Sequence, residues 1–279
     1  MMENLPSEWM VRQQQAGRRL CLILEGSNRA RQPLLAVREP PYYRSLYSET
    51  VAAQLADSGP VILLLEHLNE PALVELLQHP EGHWGWLGSL PDEDLTSLAR
   101  HWRERLIMGA AGSQALYRFH DSRTFARALA HLPKAHWPTF LGPMISVCYW
   151  HEGAWQQAEN PAPGDYPVPD PAPWLTVPNP QSEAILHGNI LRYLLAEHSE
   201  NLAALFEFQD PRIWLTQVLE QARAWQWSGV EQLEFLVVRR LEEATRGSIV
   251  HWQPRTGEAP GEHFQRVAGQ WRRAGCEDE

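Results

Sequence analysis

Lysine is almost missing from this chain: Lys134 stands alone among 24 basic residues. Arginine carries the remaining positive charge, which reads first as genomic base composition and second as a demand for bidentate Arg contacts. The bases are outnumbered by 34 carboxylates, for a net charge of −10. That balance excludes nucleic acid as the expected partner, because phosphate neutralisation needs clustered cations and supplies most of the affinity. Cysteine is scarce as well. Cys21, Cys148 and Cys276 are too scattered for metal spacing and odd in number for a disulfide framework, so a reducing compartment is expected. Long apolar runs are lacking: none exceeds Val61 to Leu65, far short of the ~20 residues a membrane span needs. Met1 to Gly17 is polar, without the apolar stretch of a signal peptide. The expected location is the cytoplasm, with no membrane partner.

What the chain does have is an ordinary globular composition, 44% hydrophobic and 21% charged, and thirteen tryptophans in 279 residues. Tryptophan is favoured in cores and at protein contacts alike, so the excess raises the prospect of a recognition surface without locating one.

Arg18 to Glu25 (RRLCLILE) and Val61 to Glu66 (VILLLE) predict strands buried on both faces. Tyr42 to Tyr47 is a short aromatic segment, and Pro71 to Gln78 a helix with Pro in its first turn. In His83-Trp84-Gly85-Trp86-Leu87-Gly88 the two tryptophans alternate with small residues. Strict alternation puts both rings on one face of a strand and the glycines on the other. Leu95, Leu98, Ala99, Trp102 and Leu106 then repeat at helical spacing, with Arg100, Arg103, Glu104 and Arg105 as the wet face. Leu116 to His120 reads as a strand and Asp121 as the N-cap of a helix that Pro133 ends. Met144 to Trp150 is expected as the last strand.

From Asn160 to Pro180 eight of twenty-one residues are proline, which predicts a stiff, extended connector. Beyond it the period is helical: a stripe of Leu186, Ile190, Leu191, Leu194 and Leu195, then a start at Asp210-Pro211 followed by Trp214, Val218, Ala222 and Trp225, then helices over Val230 to Ala244 and Phe264 to Trp271. The expected organisation is an α/β (α+β) lobe with a mixed sheet over residues 18–151, a connector over 152–180 and an all-helical lobe over 181–279.

Sites of chemistry are few. His79 and His83 are separated by Pro80 and Gly82, and His131 and His136 by Pro133, so neither pair shares a helical face for a metal. A nucleophile elbow is lacking, and Cys21 and Cys148 fall inside apolar strands where a thiol is inert, while Cys276 sits in an acidic tail that disfavours a thiolate. Gly109 to Ser113 lacks the lysine of a phosphate loop. No cofactor is called for. Arg118, His120, Asp121 and Arg123 form the densest polar cluster. A strand end, a helix cap and an ion pair account for it better than an acid–base site, since nothing adjacent in sequence supplies a nucleophile or an oxyanion donor.

Four segments occur in a telling order: H-W-G-W-L-G-S (83–89), H-W-R-E-R-L (101–106), L-Y-R-F-H-D-S-R (116–123) and T-F-L-G-P (139–143). With Glu25-Gly26 and Y-R-S-L-Y (43–47), this series resembles the family catalogued as domain of unknown function 4123, the adaptor chaperones of bacterial type VI secretion. The resemblance covers about residues 20 to 150. Ser122 replaces the family's usual Pro, and Trp86 stands where an aliphatic residue is common. Its motif residues here are Trp84, Gly85, Trp86, Arg118, Asp121, Arg123, Gly142 and Pro143, which are expected to be structural.

The resemblance implies a non-enzymatic adaptor or chaperone that binds a toxic effector and helps to load it onto the valine-glycine repeat spike protein, VgrG. An immunity protein that neutralises a toxin and an enzyme of unrecognised class with an inter-lobe site are the alternatives. In the helical lobe, Leu186, Ile190, Leu194, Trp214, Val218 and Val237 suffice for a core. Trp225, Trp227 and Trp252, near helix ends or loops, are therefore expected as partner anchors. The alternative is that these rings seal the helical lobe against the α/β unit.

Overall fold

A computed structural model describes residues 5–92, 94–108, 115–246 and 252–274. The chain divides into two compact units, residues 1–178 and 179–279.

The first unit is built in chain order from α1 (Leu5–Gln15), β1 (Arg19–Leu24), α2 (Arg31–Ala36), β2 (Tyr43–Ser45), β3 (Val61–Leu65), α3 (Pro71–Gln78), β4 (Gly85–Leu90), α4 (Leu95–Glu104), β5 (Ile107–Met108), β6 (Ala115–Leu116), α5 (Ser122–His131), α6 (Trp137–Leu141), β7 (Ser146–His151) and β8 (Ala154–Glu159). Six strands form one sheet in the order β2-β3-β1-β4-β7-β8, and β5 and β6 form a small ribbon. Every pairing in the large sheet is antiparallel, so the sheet is not mixed as expected. The continuous apolar runs of β1 and β3 follow from helices covering both faces. Cys21, Ile23, Ile62 and Leu64 join a core with Leu98, Trp102, Phe125 and Phe140, while Leu20, Leu22, Leu63 and Leu65 join one with Trp9, Leu34 and Leu73. Antiparallel strands covered on both sides read like the strands of a parallel sheet.

Several expectations are corrected. Trp84 and Trp86 are both buried, but in opposite cores. Gly85 between them has φ +145°, outside the strand conformation, so the alternation resets and Trp84 falls on the side of Leu87. A Cβ at Gly85 would lie 1.8 Å from the Ile23 carbonyl oxygen. Gly88 lies on the Trp86 side, its space filled by Met144. Of the expected 116–120 strand only Leu116 lies in a ladder, as the end of β6. Arg105, expected in solvent, is wholly buried.

The proline-rich stretch is not a free connector. Its first part is β8, paired along its whole length with β7. The Asn160 amide then donates to the Gly142 and Met144 carbonyls, at 3.0 and 2.9 Å. Further on, Ala172 and Trp174 are buried in the core with Phe140, 5.5 Å away centroid to centroid. The Arg105 guanidinium, 5.6 Å from the Trp174 ring, donates to the carbonyls of His101, Thr139 and Tyr166. A large buried ring and three backbone contacts outweigh the extended preference of proline.

The second unit comprises α7 (Ser182–Glu197), α8 (Ser199–Phe206), α9 (Pro211–Ala224), α10 (Val230–Arg246) and α11 (Pro260–Ala274). Asp210 caps α9, its carboxylate accepting from the Arg212 amide at 2.8 Å, with Pro211 next, as the sequence predicts. Trp214, Val218, Ala222 and Trp225 are buried as one stripe. In α7, by contrast, Leu194 is fully buried, Leu186, Ile190 and Leu191 are half-buried, and Leu195 is exposed.

Candidate functional site

The polar side chains that the motif series brings together sit beyond one end of β1 and β4. Glu25 follows β1 directly, and its amide donates to the Trp84 carbonyl at 2.8 Å. Gly26 continues the chain where a Cβ would lie 2.0 Å from the Ser58 carbonyl oxygen, so no larger residue fits. Facing Glu25 is the loop between β6 and α5: Arg118 Nη2 lies 3.3 Å and His120 Nε2 3.1 Å from its Oε2. Asp121 accepts from the Arg123 amide at 3.0 Å as the cap of α5, and its second oxygen takes Arg123 Nη2 at 2.6 Å. His83, in the left-handed region at φ 50° just before β4, reaches the Ser122 hydroxyl with Nδ1 at 3.0 Å.

The electrostatics are those of mutual neutralisation. The contact from His120 holds Glu25 below its ordinary carboxyl range, and burial opposes the shift only in part. Burial pushes Asp121 up, but the bonds from Arg123 outweigh it and the net direction is down. Burial, then the Arg123 charge, lowers His83. Tyr47 is raised by burial and by the nearby Glu25 carboxylate. A carboxylate–imidazole pair such as Glu25–His120 has the chemistry to move a proton, and Ser122 with His83 places a hydroxyl beside a base. Ser122, however, is the first residue of α5 and is fully buried, which does not suit a nucleophile that must meet an electrophile. What the cluster does is tie the end of β1 to the segment before α5. It leaves two guanidinium groups, Arg118 and Arg123, about half exposed.

Arg118, Asp121 and Arg123, with the already singled-out His120, thus come together as their sequence proximity suggests. Glu25 and His83 are the members that proximity misses. Both were visible as motif residues, but only strand pairing brings them to the loop.

The remaining motif residues are fold determinants. The Trp86 indole stacks on Phe125 at 3.9 Å and donates to the Phe119 carbonyl, while the Trp84 indole donates to the Leu76 carbonyl. Gly142 has φ 62° and ψ −128° and starts a tight turn through Pro143, closed by Met144 N–H on the Leu141 carbonyl. These are the angles of a type II′ turn, which takes glycine at its first central position. Cys21 and Cys148 are buried, and burial pushes both thiols up to about 12. Cys276 and Gly109 to Ser113 lie outside the described residues. Among the described residues, no group of three or more His, Cys, Asp or Glu is placed to hold a metal ion. No described helix is long and apolar enough to cross a membrane.

Trp225, Trp227 and Trp252 are not exposed anchors. All three are buried in the core of the second unit itself. Trp225 and Trp227 meet edge to face at 5.0 Å and both pack on His263, whose ring lies 2.7 Å from the Trp252 carbonyl oxygen. The reason is the end of α9. Gln226 adopts φ 57°, and the amides of Trp227 and Gln226 return to the carbonyls of Ala222 and Arg223. This is the Schellman arrangement, which turns the chain back and packs the residue after the cap onto the last turn. Here that residue is Trp227, and a tryptophan beyond the helix end becomes core.

Residues 20–139 match the family described as Domain of unknown function (DUF4123), a span running from β1 into α6 within the first unit. No curated protein and no solved structure matches the chain.

Proposed function

We propose that the protein is a non-enzymatic adaptor of type VI secretion, which binds an effector in the cytoplasm and helps to load it onto the VgrG spike. The observation that carries this reading is the family match over residues 20–139, which spans nearly all of the motif series that resembles the effector-loading adaptors. The chemistry of the cluster is consistent with it. Glu25, His120, Arg118, Asp121 and Arg123 are engaged with one another, as in a structural clasp. An acidic protein with two compact units also suits two protein partners.

The test is a deletion of this gene in its bacterium, with effector and spike measured in the culture supernatant. The expected result is an effector that is made but not exported, restored by the full chain in trans. Normal export from the deletion strain would sink the reading. Protection from the toxin in cells lacking a secretion apparatus would point to the immunity role instead.

A further inference from the structure

β8 ends the six-stranded sheet and has a single neighbouring strand, β7. Its register fixes which way its backbone points. The Asn160 amide donates to the Ile145 carbonyl at 2.8 Å, and these two residues continue the β7–β8 register by one step. Antiparallel bonding alternates, so Ala158, Gln156 and Ala154 also bond to β7, while Trp155, Gln157 and Glu159 direct N–H and C=O outward. The turn agrees. Glu152 and Gly153 both have positive φ, 47° and 79°, as in a type I′ hairpin, where the flanking His151 and Ala154 exchange bonds. No turn, loop or side-chain hydrogen bond reaches the outward groups among the described residues.

Open edges are ordinarily blunted by brevity, proline, lysine or a bulge. β2, at the opposite margin, is three residues long. β8 has six residues, no proline or lysine, and an unbroken register. Such an edge accepts a narrow class of occupant. A donor and an acceptor on every second residue match another extended backbone; a helix has satisfied its backbone groups internally, and lipid has none to offer. β8 also lies outside residues 20–139, so the edge is not part of the matched family span.

Charge narrows the occupant further. On the face of Trp155, Gln157 and Glu159, the exposed Arg12 of α1 places Nη2 2.7 Å from Gln157 Oε1. Arg12 forms no ion pair among the described residues: Glu8, one turn earlier, does not reach it, and Glu159 pairs instead with Arg18 at 3.6 Å. A residue directly opposite Gln157 on an added strand would lie about 5 Å away, within reach of this guanidinium. A second copy of the chain fits less well. Matching all three outward residues would set Gln157 against Gln157, and so Arg12 against Arg12, across the twofold axis.

From this edge and its unpaired guanidinium we propose that β8 receives an extended segment of a partner protein as a seventh, antiparallel strand, with Asp or Glu opposite Gln157. Main-chain bonds supply affinity in this mode, and alternate side chains supply specificity. The proposal rests on the strand edge and not on the adaptor reading.

The test uses the full chain and a fluorescent peptide, Thr-Val-Thr-Val-Glu-Val-Thr-Val-Thr, read by anisotropy. N-methylation of the Glu and of the residues two places to either side removes donors that face β8, and should abolish binding. N-methylation one place to either side should leave it. Gln157→Pro removes an outward N–H without touching a bond to β7 and should weaken binding on the order of tenfold, whereas Gln157→Ala should still bind. Lys in place of the central Glu should weaken binding roughly threefold, and Arg12→Gln should erase that difference. No binding of the parent peptide, equal binding of the two methylated peptides, unaltered binding by a folded Gln157→Pro protein, or a Glu–Lys difference indifferent to Arg12 overturns the proposal. So does a dimer by light scattering that Gln157→Pro dissociates, which would give the edge to a second copy. If Gln157→Pro does not fold, the methylated peptides decide the matter on the wild-type chain. No arm reads secretion, so this test and the adaptor reading fail independently.

Discussion

Gly142→Ala is the most informative single change in the first unit, because two separate physical effects act on one methyl group. The backbone at φ 62°, ψ −128° is one that L side chains rarely adopt. Holding a residue in such a region costs about 1–3 kcal/mol. The added Cβ would also lie 2.3 Å from His101 Nδ1 and 2.4 Å from its Cε1. The His101 ring cannot yield freely: it is buried, and its Nε2 lies 2.9 Å from the Phe140 carbonyl oxygen. Moving it forfeits a hydrogen bond of about 1 kcal/mol. The sum is about 3 kcal/mol, and a unit of this size loses roughly 2–4 °C of melting temperature per kcal/mol. The expected shift is therefore about 6–12 °C downward by circular dichroism. In a His101→Ala background the overlap disappears and only the backbone contribution remains, so the two changes should couple by about 1 kcal/mol or more. A Gly142→Ala protein that melts with the wild type, or a penalty unchanged by removing the His101 ring, refutes the reasoning.

Other expectations follow from the same packing. Trp86→Ala empties a site between Phe125 and Trp102 and leaves the Phe119 carbonyl unpaired; the expected loss is about 3–5 kcal/mol in a denaturant melt. Asp121→Ala removes the cap of α5 and should cost about 1 kcal/mol, without abolishing binding of the proposed effector. Loss of binding in a normally folded variant would instead make the cluster a contact site. Burial, then the Arg105 charge, lowers His101 to about 3. Between that value and its unfolded value of about 6.5 the unfolded chain binds a proton that the folded chain refuses. Stability at that site is complete above about pH 6.5 and is lost as the pH falls; His101→Gln should flatten the melting-temperature profile between about pH 6.5 and 5. A profile identical to the wild type would show that His101 is not the group responsible.

Most of the first unit is legible in the residues because its strands are continuous apolar runs and its helices carry caps or proline starts. Val61–Leu65, Pro71–Gln78 and the Asp121 cap are where the patterns place them, as is the Asp210-Pro211 start in the second unit. The failures have physical causes. β8 is a polar edge strand, and α1 is a largely polar helix packed on one face of the sheet. α1 is held by Trp9 Nε1–H on the Ser146 hydroxyl and by Gln13, which accepts from the Ser89 hydroxyl, contacts that no periodicity displays. The placement of Trp84 depends on one glycine dihedral, and that of Trp227 on one left-handed glutamine. Arg105 sits four residues after His101 on what reads as a polar face, and only the strap over it explains its burial. Of the polar cluster, the contiguous part was legible, whereas Glu25 and His83 required the strand pairing.

The arginine under that strap fixes where the molecule can be divided. Arg105 forms only a long ion pair with Glu104, at 3.8 Å, and backbone carbonyls supply its hydrogen bonds. The three carbonyls that hold it come from residues 101, 139 and 166. A fragment cut at residue 151, the end of β7, would lose one of those acceptors, the tryptophan over which the guanidinium lies and the sheet's outer strand. Its Phe140 face and the long edge of β7 would be left open to other chains. Cut instead after Pro178, the first unit keeps its closure, and that boundary is the one from which separate binding experiments on the two halves can be interpreted.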